Sequence, residues 1–541
     1  MRATMMDVPL TVAQILERAG RLFPDTEIVS RRPDKSIHRY SHAEFHGRAR
    51  ALSAALRKAG VKPGEPVATL MWNHAVHLEA YFGIPCAGGV LHTLNLRLHP
   101  NDLVYIVDHA GPRTLIIDDV LLPLLAEFRD RVRLDRVIVV NWGKGALPEG
   151  AVDYEDFIAA GDDGYVPQKL NENDAAGLCY TSGTTGKPKG VVYSHRAIVL
   201  HSLAISLPDM LSISHRSAVM PVVPMFHANA WGEPFACAMM GAKQVFPGPH
   251  LDAVNLLDLW NDEGVTLVSG VPTVWLAVVG ALDENPGRWP RVKGLRALVG
   301  GAAAPEGLLR ALIKHGLDPA HGWGMTEITP VGAIHSFKRK LDTLPPDARI
   351  AHLAKQGLPL PLVETRVVND SGEAPWDGAS MGELQVRGPF VAARYHNQPG
   401  ESDRWTSDGW FKTGDVVAMD ADGYVKLSDR TKDLIKSGGE WISSVDLENA
   451  IMGHPAVAEA AVIALPHPRW DERPLAAVAL KPGNSLSLED LRAYLAPHFA
   501  KWWLPDAIAI IDQIPHTSTG KFQKSALRER FKDWTWDKPA R

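Results

Sequence analysis

Cysteine is scarce. Only Cys86, Cys179 and Cys237 occur in 541 residues, spaced too widely for a metal-ligand or redox motif. A disulfide framework is thereby excluded, and buried free thiols in a reducing compartment are expected. Long apolar runs are missing too. Nothing approaches the roughly 18 residues that a membrane-spanning helix needs, so no integral membrane segment is expected. Residues 1–23 break their apolar positions with Asp7, Glu17, Arg18 and Arg21 and so lack the apolar core of a signal peptide. Nor does one sign of charge dominate. The formal net charge is −5 with both signs mixed along the chain, which argues against a general nucleic-acid binder and leaves only a local basic patch for a phosphorylated ligand. No internal repeat or low-complexity tract is present, and a cytoplasmic protein is expected.

The composition that is present, 45% hydrophobic and 22% charged, is that of a globular chain, and its length calls for two or more domains. Apolar residues recur at helical spacing over 10–22 and 41–59, with Gly60 placed to stop the second helix. Short β-prone runs over 66–71, 114–117, 218–221, 243–246, 267–269 and 295–299 alternate with helical stretches such as 75–82 and 101–109. That alternation predicts an α/β fold, with a large body of layered, mostly parallel sheets. Over 364–410, short strands with Gly and Asp turns predict a small β-rich subdomain. Past Asp429 a new unit opens, with strands over 458–465, 476–480 and 507–511 and a helix over 488–499. The expected division is an N-terminal body of 1–428, a hinge of 429–434 and a small, mobile α+β domain of 435–541.

The chain is organised around Tyr180-Thr181-Ser182-Gly183-Thr184-Thr185-Gly186-Lys187-Pro188-Lys189-Gly190. Its glycines let backbone N–H groups approach an anion, its hydroxyls add donors and its lysines add charge, which is how a loop holds phosphate. It is not a Walker A loop, because Lys187 is followed by Pro188 rather than by Ser or Thr and a helix. Val191, Val192 and Tyr193 favour a strand instead. The string resembles the AMP-binding signature of the adenylate-forming superfamily, which includes acyl-CoA synthetases, peptide-synthetase adenylation domains and luciferases. The resemblance implies that Thr181, Ser182, Gly183, Thr184, Thr185, Gly186, Lys187 and Lys189 grip the phosphates of ATP.

Further motifs follow in that family's order, from about Tyr40 to Lys521. Gly300-Gly301-Ala302-Ala303-Ala304-Pro305 comes after an apolar strand, at the end where α/β sheets hold ligands, and its small side chains leave room for a flat ring. By resemblance, Gly301, Ala302 and Ala303 line the adenine pocket. His321-Gly322-Trp323-Gly324-Met325-Thr326-Glu327 offers an aromatic face, a hydroxyl and a carboxylate suited to a hard cation. It resembles the family's Tyr-Gly-x-Thr-Glu motif, with His321 and Gly322 beside the nucleotide, Trp323 against adenine, Thr326 on the α-phosphate and Glu327, with Thr181, on Mg²⁺. Trp in place of Tyr keeps a stacking face and loses the phenol. Thr413-Gly414-Asp415 resembles the ribose motif, in which a carboxylate accepts from two hydroxyls. Arg430 matches a second ribose contact, and Lys432 matches the pivot. Lys436 and Trp441 match residues that hold the adenylate, and Gly438, Gly439 and Glu440 match the loop along the pantetheine path of coenzyme A. Lys521 matches the lysine that bridges the substrate carboxylate and the α-phosphate, a task suited to a point cation.

Val223-Pro224-Met225-Phe226-His227-Ala228-Asn229-Ala230-Trp231 is apolar apart from one imidazole and one amide. It resembles the gate of medium- and long-chain acyl-CoA synthetases, with His227 beside the carboxylate, Ala228 in the lining and Trp231 as an indole that swings aside to open an alkyl tunnel. On the residues alone, His227 is equally a hydrogen-bonded structural histidine. Gly332, just after Glu327, is expected to leave space at the acyl end. The resulting expectation is a ligase that uses ATP, Mg²⁺ and coenzyme A to convert a medium- or long-chain fatty acid to its acyl-CoA through an acyl-adenylate. A homodimer is expected from the same resemblance. Three rivals stand beside it: a CoA ligase for a short thioether acid, an adenylating module that loads a carrier protein, and a non-enzymatic acyl- or nucleotide-binding protein.

Overall fold

The computed structural model describes the whole chain except residues 2, 162–163, 182–186, 399–402, 438–439, 518–520 and 537–541, with Glu440 described by its backbone alone. Local signals set the elements. The Ser41 hydroxyl accepts from the Glu44 N–H, and the Glu44 carboxylate accepts from the Ser41 N–H at 2.7 Å. This reciprocal cap starts the helix His42–Lys58. Gly60, at φ +88°, then turns the chain away, as a left-handed residue does after a helix.

Two large sheets form the body. The first has seven strands in the spatial order Ala151–Asp153, Arg136–Val140, Thr114–Asp118, Pro66–Leu70, Val90–Thr93, Ala175–Tyr180 and Gly190–Ser194. All its pairs are parallel except the last, which is an antiparallel hairpin. The second has nine strands, with a parallel centre running through Asp318–Gly324, Arg296–Val299, Leu267–Gly270, Ala218–Pro221, Lys243–Phe246 and Glu27–Arg31. Central strands such as Leu267–Gly270 and Val90–Thr93 are buried at every position, because helices cover both faces of a parallel sheet. Helix Ala75–Cys86 is likewise buried throughout. It lies in a core that joins Val67 and Leu91 of the first sheet to Ile28 and Phe246 of the second.

A third, antiparallel sheet holds Gly372–Glu373, Glu364–Asn369, Met381–Arg387, Phe411–Met419 and Val425–Arg430. It therefore runs well past the expected limit at residue 410, because the nearly continuous burial of Phe411–Met419 adds a long central strand. The next strand, Ile435–Ser437, belongs to a fourth sheet with Glu440–Ile442, Asp471–Leu480, Val457–His467 and Ala507–Ile510. Arg473 knits this unit together. Its guanidinium donates to the Ser437 hydroxyl at 2.8 Å, to the Leu504 carbonyl at 3.0 Å and to the Asp506 carboxylate. Where the chain crosses between these sheets, the Asp429 carboxylate accepts from the Ser444 N–H at 2.6 Å, and Lys524 reaches both Ser444 and Glu448. Cys86, Cys179 and Cys237 are free and buried. No helix among the described residues is long and apolar enough to cross a membrane.

The nine-stranded sheet is pinned on one side by Trp275, a fully buried indole whose Nε1–H is shared by the carbonyls of Gly270 and Leu298, each at 3.2 Å. Trp275→Ala should lower the unfolding free energy by about 3–5 kcal/mol, read as a shift of the urea midpoint; a change under about 1 kcal/mol would mean that the site carries little of the core.

Candidate active site

The C-terminal ends of the parallel strands in the nine-stranded sheet open on one cavity of about 830 Å³, the position where α/β sheets leave room for ligands. Val222 and Val223 enter after Ala218–Pro221, Gly270 and Val271 at the end of Leu267–Gly270, Gly300 and Gly301 after Arg296–Val299, and Gly322 to Glu327 from Asp318–Gly324 and the turn beyond it. The seven-stranded sheet contributes Thr181, Lys187 and Lys189. Thr413, Gly414 and Arg430 come from the antiparallel sheet, and Thr431, Lys432 and Lys521 from the chain after it. One wall is aliphatic. Elsewhere, among the described residues, the lining carries Arg97, Lys187, Lys189, Arg404, Arg430, Lys432 and Lys521 against a single carboxylate, Glu327. Such an excess of cations fits a polyanionic ligand.

The acidic groups are held in fixed positions. The Tyr395 hydroxyl donates to Glu327 Oε1 at 2.7 Å, and the Lys189 ammonium sits 4.8 Å from the centre of the Tyr395 ring. Asp415, buried beside the cavity, accepts from the Trp323 indole N–H at 2.8 Å and pairs with Arg430 at 3.3 Å. Thr181 and Lys189 exchange backbone and hydroxyl hydrogen bonds of 2.9 and 3.1 Å, which closes the neck of the phosphate loop. Burial pulls Lys521 down to about 8, with Arg430 adding to the effect and Asp415 and Glu327 opposing it. His227 falls to about 3, through burial first and then through Lys521 and Arg97, so its imidazole is neutral at physiological pH.

The turn Ala228–Gly232 is unusual. Ala228, Asn229, Ala230 and Trp231 have φ of +43°, +53°, +47° and +56°, followed by Gly232 at +81°. Left-handed backbone costs a non-glycine residue about 1–2 kcal/mol, so this run is strained and held by its surroundings. Asn73 donates to the carbonyls of Pro221 and Val223 and accepts from the Met225 N–H. The Cys179 thiol donates to Asn229 Oδ1 at 3.3 Å. The turn lays the Trp231 ring against Gly300, where even a Cβ would stand only 2.9 Å from it.

Residues 16–396 match the model of the AMP-binding enzymes, and 446–521 match the AMP-binding enzyme C-terminal domain. The chain belongs to the AMP-binding enzyme family. Among curated relatives, a long-chain-fatty-acid–CoA ligase of Thermus thermophilus is 48% identical over 98% of this chain and 97% of its own length. A medium-chain-fatty-acid–CoA ligase of Ectopseudomonas oleovorans is 41% identical, with 98% of each chain covered. A 3-methylmercaptopropionyl-CoA ligase of Ruegeria lacuscaerulensis is 42% identical, with 98% and 99% covered. Among solved structures, an anthranilate CoA ligase with bound anthranoyl-AMP superposes with a TM-score of 0.86 at 26% identity, covering 98% of this chain and 99% of that one.

Within this AMP-binding enzyme, the cavity brings together Thr181, Lys187, Lys189, His227, Ala228, Trp231, Gly301, Gly322, Trp323, Thr326, Glu327, Arg430, Lys432 and Lys521. Other expected site residues lie elsewhere. His321 is buried behind the lining, accepting from the Ala304 N–H at 3.2 Å and donating to the Ala354 carbonyl at 2.8 Å, so it braces the Gly300–Ala304 loop. Ala302 and Ala303 follow Gly301 on that loop, half buried and outside the lining. Gly332 does not open the acyl end: a Cβ there would meet the Trp323 ring at 2.5 Å, so the space it leaves is filled by that indole. Lys436 lies over the Trp441 ring at 4.6 Å, and neither residue lines the cavity. Ser182 to Gly186, Gly438 and Gly439 fall outside the described residues, and so does the side chain of Glu440. Arg97, Tyr395, Gln398 and Arg404 were not foreseen, because they reach the cavity from loops with no recognisable motif.

Trp323→Phe keeps a ring and removes the donor to Asp415. Leaving a buried carboxylate short of one partner should cost about 1–3 kcal/mol, measured by chemical denaturation of the free protein; unchanged stability would show that Asp415 does not depend on the indole.

Proposed function

We propose that the protein is an ATP-dependent acyl-CoA ligase that turns a medium- or long-chain fatty acid into its acyl-CoA through an acyl-adenylate, releasing AMP and pyrophosphate. The observation that carries this reading is the shared cavity, in which a cation-rich polar part and an aliphatic wall meet at Lys521, His227 and Trp231. The named activities of the Thermus and Ectopseudomonas relatives support it. The Ruegeria relatives favour a second reading, a short thioether acid in the same pocket.

Thr181, Lys187 and Lys189, with the loop between them, bind the phosphates. Asp415 and Arg430 orient the ribose, Trp323 and Gly301 border the adenine, and Thr326 holds the α-phosphate. Magnesium fits beside them. Glu327 is the one lining carboxylate, and no cluster of three or more His, Cys, Asp or Glu occurs among the described residues, which suits a cation shared between one carboxylate and phosphate oxygens. Glu327 and Thr181 would hold the ion, which when bound neutralises charge on the departing pyrophosphate. Lys521, protonated, holds the acid's carboxylate against the α-phosphorus, and neutral His227 borders it without competing for the anion. The carboxylate oxygen then displaces pyrophosphate, a step that needs positioning and charge neutralisation and no protein nucleophile. In the second half, the unit beyond the hinge turns about Lys432. Lys521 withdraws, Gly438, Gly439 and Glu440 approach, and the CoA sulfur loses its proton and displaces AMP. A homodimer and a cytoplasmic location complete the reading, the latter supported by three buried free thiols.

Lys521→Ala should abolish acid-dependent pyrophosphate release while preformed acyl-adenylate and CoA still yield acyl-CoA; loss of both halves together would refute the role given to this lysine. Because Lys521 acts protonated, kcat/KM for the first half should fall as pH rises through about 8, and Lys521→Arg should move that fall upward. A profile flat into the ordinary lysine range would detach the reaction from this group. Trp231→Ala should alter the preferred length in a series of linear acids and leave ATP affinity within about threefold; identical length profiles would argue against a gate.

A further inference from the structure

Next to Leu298 in the aliphatic wall, the same side of the sheet carries polar groups that the steps above do not use. Leu298 lines the cavity and is paired in register with Ser269 on the adjacent strand, so both point to the same side of the sheet. Two residues past Trp231, Glu233 begins the helix Glu233–Met240 on that side, and its Oε1 accepts a hydrogen bond from the Ser269 hydroxyl. Glu233 Oε2 has no partner although the side chain is 0% exposed. Gln244 faces the same side, since Val219 is paired with both Leu267 and Gln244, and it too is 0% exposed with neither amide atom bonded. Buried polar atoms are nearly always satisfied, and leaving one bare costs about 1–3 kcal/mol. Unmet groups on one side of one sheet, next to a cavity wall, therefore point to a polar group that arrives from outside the chain.

The chemistry of the missing partner follows from the protonation. Burial pushes Glu233 up to about 7, with the Ser269 bond opposing, so the carboxyl carries a proton over much of the physiological range. Ser269 already donates to Oε1, and the proton therefore belongs on Oε2, which becomes a donor without an acceptor. A hydrocarbon tail cannot supply one. An oxygen on the tail can.

We propose that Glu233, positioned by Ser269, is a specificity-determining residue at the far side of the Trp231 gate that receives a hydroxyl oxygen on the distal part of the acyl chain, so that the favoured substrate is a hydroxylated aliphatic acid. This rests on the ligase reading and narrows it. Trp231 lines the cavity and lies two residues before Glu233 in the chain, which places the carboxyl close behind the lining. The carboxyl-to-be-activated and the tail hydroxyl are then read at opposite ends of one chamber.

The test uses pairs of linear acids of matched length, one ending in a methyl group and the other in a hydroxyl, with kcat/KM for acid-dependent pyrophosphate release as the readout. In the native protein, at the length that spans the chamber, the hydroxyl acid should exceed its methyl partner by about tenfold or more. Glu233→Leu should reverse that order, and Glu233→Gln, which keeps a donor, should retain part of the preference. Each comparison is a ratio within one variant, so partial loss of folded protein cancels. A hydroxyl-to-methyl ratio unchanged by Glu233→Leu overturns the proposal, as does a native preference for the methyl acid at every length; both results mean that water satisfies the pair. Should Glu233→Leu fail to fold, the native ratio and that of Glu233→Gln decide the matter. Failure of every acid to release pyrophosphate would instead strike the ligase reading itself.

Discussion

Like charges packed around one cavity repel, and the site is built around that repulsion. Seven cationic side chains line the space with one carboxylate among them, and its effect appears at both ends of the reaction centre. Burial is the larger cause at each, and to it Arg430 adds in loosening the proton of Lys521, while Lys521 and Arg97 add in keeping His227 neutral. A cation-rich lining of this kind favours a polyphosphate, whose negative charge neutralises it from within. The fixed acids temper the field, since both Asp415 and Glu327 favour the charged form of Lys521. Asp415 is committed to Trp323 and Arg430, and Glu327 to Tyr395.

The same constraint explains how the architecture divides its labour. Backbone that must approach a ligand closely sits at strand ends rich in glycine, as at Gly300 and Gly301, while charge comes from flexible side chains on several separate elements. Trp231 is the exception, a bulky group in a left-handed turn where four successive residues carry Cβ atoms. Strain of this kind persists only where neighbours enforce it; here Cys179 bonds to Asn229 within the turn, and Asn73 fixes the segment leading into it.

Much of this was legible in the sequence, because a short-range signal wrote it. Alternating β-prone and helical runs marked the parallel sheets, and strands such as Ala218–Pro221 and Lys243–Phe246 fall where their apolar runs lie. Thr181, Lys187 and Lys189, the Trp323 to Glu327 segment and Lys521, which line the cavity, stood out because each lies in a short run of distinctive residues. Tyr395 was not. It meets Glu327 across 68 residues, and no local pattern announces a partner at that distance. Gly332 was misread for a related reason: a glycine signals that space is needed, and only the packing reveals that Trp323 occupies it. The extent of the antiparallel sheet was underestimated because Phe411–Met419 reads as a motif for ribose before it reads as a strand.

The Arg473 node makes the last part of the chain self-contained. Both apolar clusters of the unit that follows residue 434 are made solely of its own residues, and Arg473 closes its strands with bonds that stay within it. The unit carries its own core and joins the body through the short stretch between Arg430 and Ile435.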